Sequence, residues 1–81
     1  MIENKIKKIL TKKIKDSKIF IQDMTGNDDH FNLIIISEKF QGLSLIERHK
    51  IIYNILEPMV TKEIHALQLK TITREEWEKQ N

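Results

Sequence analysis

Three histidines, His30, His49 and His65, have the widest chemical reach in this 81-residue chain. A neutral imidazole binds metals, and modest changes in its surroundings move its proton across physiological pH. In Ile64-His65-Ala66-Leu67-Gln68-Leu69-Lys70, His65 is in phase with Leu67 and Leu69. That phase puts its ring at the end of an apolar strand face, where burial favours the neutral, metal-binding form. His30 opens a second apolar run directly after Asp28-Asp29. If the two runs are adjacent parallel strands, both imidazoles begin at the same sheet edge. Two histidines cannot complete a four-coordinate site, so any metal here must share ligands with another molecule. The default for a lone histidine at a strand end is a satisfied structural residue. His49 follows Arg48, in phase with Leu45 and Ile52, and its default is a helix histidine hydrogen-bonded within the fold.

Other chemistries are excluded by what the chain lacks. It has no cysteine, hence no thiol nucleophile, redox pair, thiolate site or disulfide. Ser44 and Thr73 sit where helix caps are expected, and no spacing of serine, histidine and carboxylate suggests a triad. Paired carboxylates and a glycine-rich phosphate loop are both missing, so nothing points to an enzyme.

The elements that must position the histidines can be read from periodicity. Residues 2–14 place Ile2, Ile6, Ile9, Leu10 and Ile14 at helical spacing among lysines, an amphipathic first helix. Residues 18–23 are β-branched and aromatic enough for a strand. Thr25-Gly26-Asn27-Asp28-Asp29 is a turn cluster, and residues 30–37 form a second strand, apolar on both faces toward its middle. Such a strand belongs at the centre of a sheet. Ser44-Leu45-Ile46-Glu47 is a capping box that starts a second helix, with Leu45, His49, Ile52 and Leu56 on its apolar stripe and Ile46 and Tyr53 widening it. Pro58 should kink that helix or begin a new turn. Residues 64–70 make a third strand. Thr73-Arg74-Glu75-Glu76 caps a last helix over 74–80, with Ile72 and Trp77 at staple positions and Trp77 as a core anchor.

The order is α-β-β-α-β-α, an α+β domain over residues 1–81. Its first two strands form an antiparallel hairpin, and a right-handed crossover makes strands two and three parallel neighbours. The sheet is therefore three-stranded and mixed, with helices packed on one face. A chain this short buries only about 60% of its unfolded surface, and packing alone must hold it. No stretch approaches the roughly 20 apolar residues of a membrane span. The charged N-terminus does not read as a signal peptide, so the expected location is cytoplasmic and away from membranes. Net charge is +2, yet residues 1–20 hold seven lysines against Glu3 and Asp16. That basic helix could attract phosphates or an acidic partner, although a solvated face is its default reading.

A family resemblance rests on longer strings. Phe40-Gln41-Gly42-Leu43-Ser44 with Arg48-His49 and Tyr53, then Ile64-His65-Ala66-Leu67 and Lys70-Thr71-x-Thr73-x-x-x-Trp77, resembles the BolA family over nearly the whole chain. Asp29-His30-Phe31 is similar to that family's Ser-His-Phe, with aspartate for serine. The resemblance implies a fold related to class II KH domains. It further implies a monothiol glutaredoxin partner and a shared [2Fe-2S] cluster, to which the partner brings a cysteine and bound glutathione. The family's own ligand is the histidine of His-Ala-Leu, here His65. A second comes from the loop between the first two strands, where this short loop leaves only His30, at the strand start. Histidine ligation with borrowed thiolate is chemically sound for such a cluster, and raises its potential relative to all-cysteine sites.

The competing reading is nucleic-acid binding, since the family is also described as DNA-binding regulators. Gly26 and Gly42 are too far apart for the Gly-x-x-Gly loop of KH domains. What remains is Arg48, His49 and Lys50 on the second helix, placed to contact phosphates. A homodimer of the free chain also stays open.

Overall fold

A computed structural model describes residues 2–26, 30–60 and 66–80. The elements are α1 (Ile2–Lys13), β1 (Lys18–Asp23), β2 (His30–Ile36), a short 3₁₀ turn (Glu38–Phe40), α2 (Leu45–Val60), β3 (Ala66–Ile72) and α3 (Arg74–Gln80). The sheet order is β1-β2-β3. β1 and β2 are antiparallel, with Phe20 opposite Ile34. β2 and β3 are parallel, with His30 opposite Ala66 and Ile36 opposite Ile72. The α+β class, the mixed sheet and the central place of the most apolar strand are as the sequence predicts.

Strand alternation divides the sheet. Ile19, Phe31, Leu33 and Ile35 point inward and are buried with Ile6, Leu10 and Ile14 of α1 and Ile52, Leu56 and Met59 of α2. Phe40, from the 3₁₀ turn, completes this core with no exposed surface. The long helices α1 and α2 thus share one face. The opposite parity, including Lys18, Phe20, Gln22, Asn32, Ile34, Gln68 and Lys70, points outward. Among the described residues, α3 reaches this outer face: Trp77 stacks on Phe20 with ring centroids 5.5 Å apart and planes inclined by 24°. Trp77 is therefore half-buried outside the main core, not an anchor within it, and no residue of α3 is buried.

The ends of the elements are tied by polar side chains. Asp23 Oδ1 accepts from the amides of Thr25 (3.2 Å) and Gly26 (2.9 Å), and Gly26 takes φ +82° to make the turn. After α1, Asp16 reaches across to the 3₁₀ turn. It accepts from Ser37 Oγ at 2.6 Å and from the Glu38 amide at 2.9 Å. These two bonds, the hydroxyl first, hold its carboxyl below the usual range. Both expected capping boxes are present. Ser44 N donates to Glu47 Oε1 (3.0 Å) while Glu47 N donates to Ser44 Oγ (3.1 Å). Thr73 and Glu76 exchange the equivalent pair at 2.8 and 3.1 Å.

Three expectations need correction. On α2, Leu45, Ile46 and Tyr53 are 62%, 70% and 39% exposed. At 100° per residue, Ile46 and Tyr53 lie about 100–120° away from Ile52, off the buried stripe. Leu45 is in phase, but seven residues, or about 10 Å, before Ile52, where the helix overhangs the core. Pro58 begins no new turn, one of the two expected outcomes, but lies inside a helix that continues to Val60. So near the C-terminus the missing amide affects only the final turn. The third strand runs on to Ile72 instead of stopping at Lys70, because pairing with β2 continues to Ile36. Its expected first residues, Ile64 and His65, lie outside the described residues.

Candidate functional site

The strands that carry the histidine motifs are neighbours and run in the same direction. His30 opens β2 and pairs with Ala66, the residue that follows His65 in the chain. His65 itself lies outside the described residues. His30 is half-buried and its Nδ1 is shielded from solvent. It lines an open-sided cleft of about 190 Å³ with Met24, Thr25, Phe31 and Gln68. By alternation its side chain belongs to the outer face. Leu67 and Leu69, with which the sequence reading puts His65 in phase, pack on the core from the inner face.

This donor set can be tested against a metal group. Among the described residues, no cluster of three or more His, Asp or Glu side chains could hold a metal ion. The chain also has no cysteine. A shielded imidazole beside an open cleft suits one ligand of a group whose other ligands come from a second molecule, and does not suit a self-sufficient site.

Arg48 is placed quite differently from a free phosphate contact. Its side chain is only 12% exposed. Nε donates to Leu43 O at 3.0 Å, and Nη1 to Thr71 O at 3.2 Å and Glu76 Oε1 at 2.7 Å. Nη2 lies 3.4 Å from Glu76 Oε2. One guanidinium thus fastens the loop before α2, the end of β3 and the start of α3. Glu76 caps α3 and pairs with Arg48 at once. The Arg48 bond first, then the Thr73 amide, lowers its pKa to about 2. Sequence reasoning found each capping box but not this link, because 28 residues separate its ends. The one available signal was an arginine in the first turn of a helix that is otherwise apolar on its core side.

The other two candidates of this group differ from Arg48 and from each other. His49 is half-buried, and its Nε2 is enclosed with no hydrogen-bond partner. Lys50 is exposed. A phosphate could meet Lys50 directly, but would have to displace Glu76 to reach the guanidinium. Glu47 is held below the usual carboxylate range by its bonds to Ser44, chiefly the backbone amide.

Comparison with known proteins gives a consistent picture. An uncharacterized protein of Rickettsia prowazekii, RP812, is 41% identical over 68 residues, covering 84% of this chain and 88% of its own. The DNA-binding transcriptional regulator BolA of Escherichia coli is 38% identical over 53 residues, 65% of this chain and half of the relative. The solved structure of BolA1 from Arabidopsis thaliana superposes with a TM-score of 0.87 at 26% identity, covering 94% of this chain and 95% of that one. Among the described residues no helix is long and apolar enough to cross a membrane. The model of the BolA-like protein family matches residues 3–76, from the first turn of α1 to the Glu76 cap, and the chain belongs to that family.

Proposed function

We propose that this chain pairs with a monothiol glutaredoxin and shares a [2Fe-2S] cluster with it, serving iron–sulfur cluster trafficking or iron regulation. The observation that carries the reading is the parallel register of β2 and β3. It brings His30 opposite Ala66, the middle residue of the His-Ala-Leu motif. His65 would be this chain's first ligand and His30 its second. The glutaredoxin would bring its cysteine and bound glutathione. The cluster, when bound, supplies one-electron chemistry and labile iron. The chain's own part would be to present imidazole donors from the start of β2 and from the His-Ala-Leu motif. Ligand nitrogens must be deprotonated to bind, so acidification releases the group.

The test is visible circular dichroism during titration into a [2Fe-2S]-loaded monothiol glutaredoxin. The expected result is a changed spectrum with 1:1 stoichiometry, abolished by His65→Ala and weakened by His30→Ala. An unchanged spectrum with no complex refutes the reading. A second reading, DNA binding, is supported by similarity to the DNA-binding transcriptional regulator of Escherichia coli and by exposed Lys50. It predicts binding that weakens steeply with salt and is indifferent to His65→Ala.

A further inference from the structure

Strand β1 has an open side. Its sheet has β2 at the centre, so β1 and β3 are both edge strands. The phase of the hairpin ladder decides which backbone groups of β1 are already paired. The Met24 amide donates to the His30 carbonyl at 2.8 Å, which makes theirs a hydrogen-bonded pair. Bonded and non-bonded pairs alternate along an antiparallel ladder, so Gln22, Phe20 and Lys18 also bond β2. The amides and carbonyls of Ile19 and Ile21 therefore point away from the sheet, and among the described residues nothing bonds them. Several devices that blunt an edge are missing: β1 has no proline, glycine or bulge, and its charges, Lys18 and Asp23, are at its ends. The edge of β3 differs. The Ile72 carbonyl accepts from the Ser37 amide, so Thr71 faces away from β2, and its carbonyl is taken by Arg48.

The β1 edge is apolar at its centre and basic at one end. Phe20 is 45% exposed and Ile21 is half-buried. α1 packs against β1, and Lys12, Lys13, Lys15 and Lys18, all exposed, lie where α1 ends and β1 begins. Asp16, the carboxylate among them, is turned to Ser37 and Glu38.

We propose that β1 takes up an extended segment of a partner protein as a fourth, antiparallel strand, apolar at its centre and acidic toward its C-terminal end. Main-chain bonds to Ile19 and Ile21 supply affinity, and alternate side chains supply specificity. An antiparallel strand ends beside the start of β1, so its last carboxylates meet Lys15 and Lys18. A residue opposite Phe20 covers the exposed part of that ring. A second copy of this chain suits the edge poorly, because it brings another lysine-rich α1 to the same place. The backbone groups used lie on the side of β1 away from β2, so the proposal does not rest on the cluster reading.

The experiment uses the full chain and two synthetic peptides, Thr-Val-Thr-Phe-Val-Glu-Glu and the same sequence ending in Lys-Lys. Amide hydrogen exchange by NMR reads Ile19 and Ile21 individually. In the free chain both amides should exchange faster than those of Phe20 and Gln22. With the acidic peptide at about ten times its Kd, protection of Ile19 and Ile21 should rise about tenfold. Lys15→Glu with Lys18→Glu should weaken binding of that peptide about fivefold, an effect that high salt erases. Ile21→Pro removes one edge donor, a change that edge strands tolerate, and should abolish binding with the far-ultraviolet spectrum kept. If Ile21→Pro does not fold, the double lysine variant, altered only at exposed side chains, carries the test. His65→Ala should bind the peptide unchanged, which separates this test from that of the cluster. No binding, or binding that leaves Ile19 and Ile21 unprotected, overturns the proposal. So does equal binding of the Lys-Lys peptide, or loss of binding in His65→Ala. Protection that rises with protein concentration alone would give the edge to a second copy, and also overturns it.

Discussion

Replacing Arg48 by alanine should be among the most damaging changes outside the hydrophobic core. The magnitude follows from its contacts. Nε and Nη1 donate to the carbonyls of Leu43 and Thr71, and the side chain is 12% exposed. A charged donor to a shielded carbonyl contributes about 1–1.5 kcal/mol net, so the two together are worth about 2–3 kcal/mol. The ion pair is left out of this figure, because the Glu76 side chain is 45% exposed and solvent screens it. An 81-residue domain has about 4–12 kcal/mol of stability in all. The loss should then lower the melting temperature by about 10–20 °C. Urea denaturation followed by circular dichroism measures it, with unchanged slope and a lower midpoint. Arg48→Lys should recover less than half, since a single ammonium cannot span two carbonyls and a carboxylate. A loss below about 0.5 kcal/mol for Arg48→Ala, the range of ordinary surface changes, refutes the argument, as does full stability in Arg48→Lys.

Other consequences are equally direct. Glu76 has its pKa lowered to about 2 in the folded chain from 4.5, so its contribution is complete above pH 4.5 and fades as pH falls toward 2. Glu76→Gln should flatten that part of the urea-midpoint profile, leaving the smaller acid sensitivity of Asp16 and Glu47, whose pKa values are also lowered. Leu33→Ala, at a fully buried position of the central strand, should cost about 3–5 kcal/mol and leave little folded protein at 37 °C by circular dichroism. Leu45→Ala should change stability by less than about 0.5 kcal/mol in the same melts, although Leu45 is in phase with the core stripe.

Much of this architecture was legible because its signals are local. The two capping boxes act over three residues, and both start helices where expected. The all-apolar run Leu33-Ile34-Ile35-Ile36 marked the central strand because both of its faces are at least partly covered. Ile46 and Tyr53 fail because they are out of phase with the buried stripe, but the other failures arise because periodicity reports phase, not where the neighbouring layer lies. Leu45 has the right phase but overhangs. Trp77 has the right staple spacing, yet meets Phe20 on the far side of the sheet. Likewise, Arg48 was legible as basic but not as enclosed. Its partners at Leu43, Thr71 and Glu76 become neighbours only when β3 docks. Among the candidate ligands, the position of His30 at the start of a strand was legible from its flanking residues. Its assignment to the outer face follows from a register fixed by tertiary packing.

That register also has a kinetic side. Every pair in the β2–β3 ladder is 36 residues apart in sequence, whereas the β1–β2 hairpin pairs residues only 8 to 18 apart. Closing the longer loop costs more chain entropy, by about 0.6 kcal/mol for each doubling of length. The hairpin can therefore form early, while β3 must wait for α2 to return across the sheet. A group ligated by both His30 and His65 would bridge that long loop as a crosslink does, penalising the open chain more than the folded one. Its binding free energy would then slow the release of β3, so occupancy and resistance to unfolding would rise together.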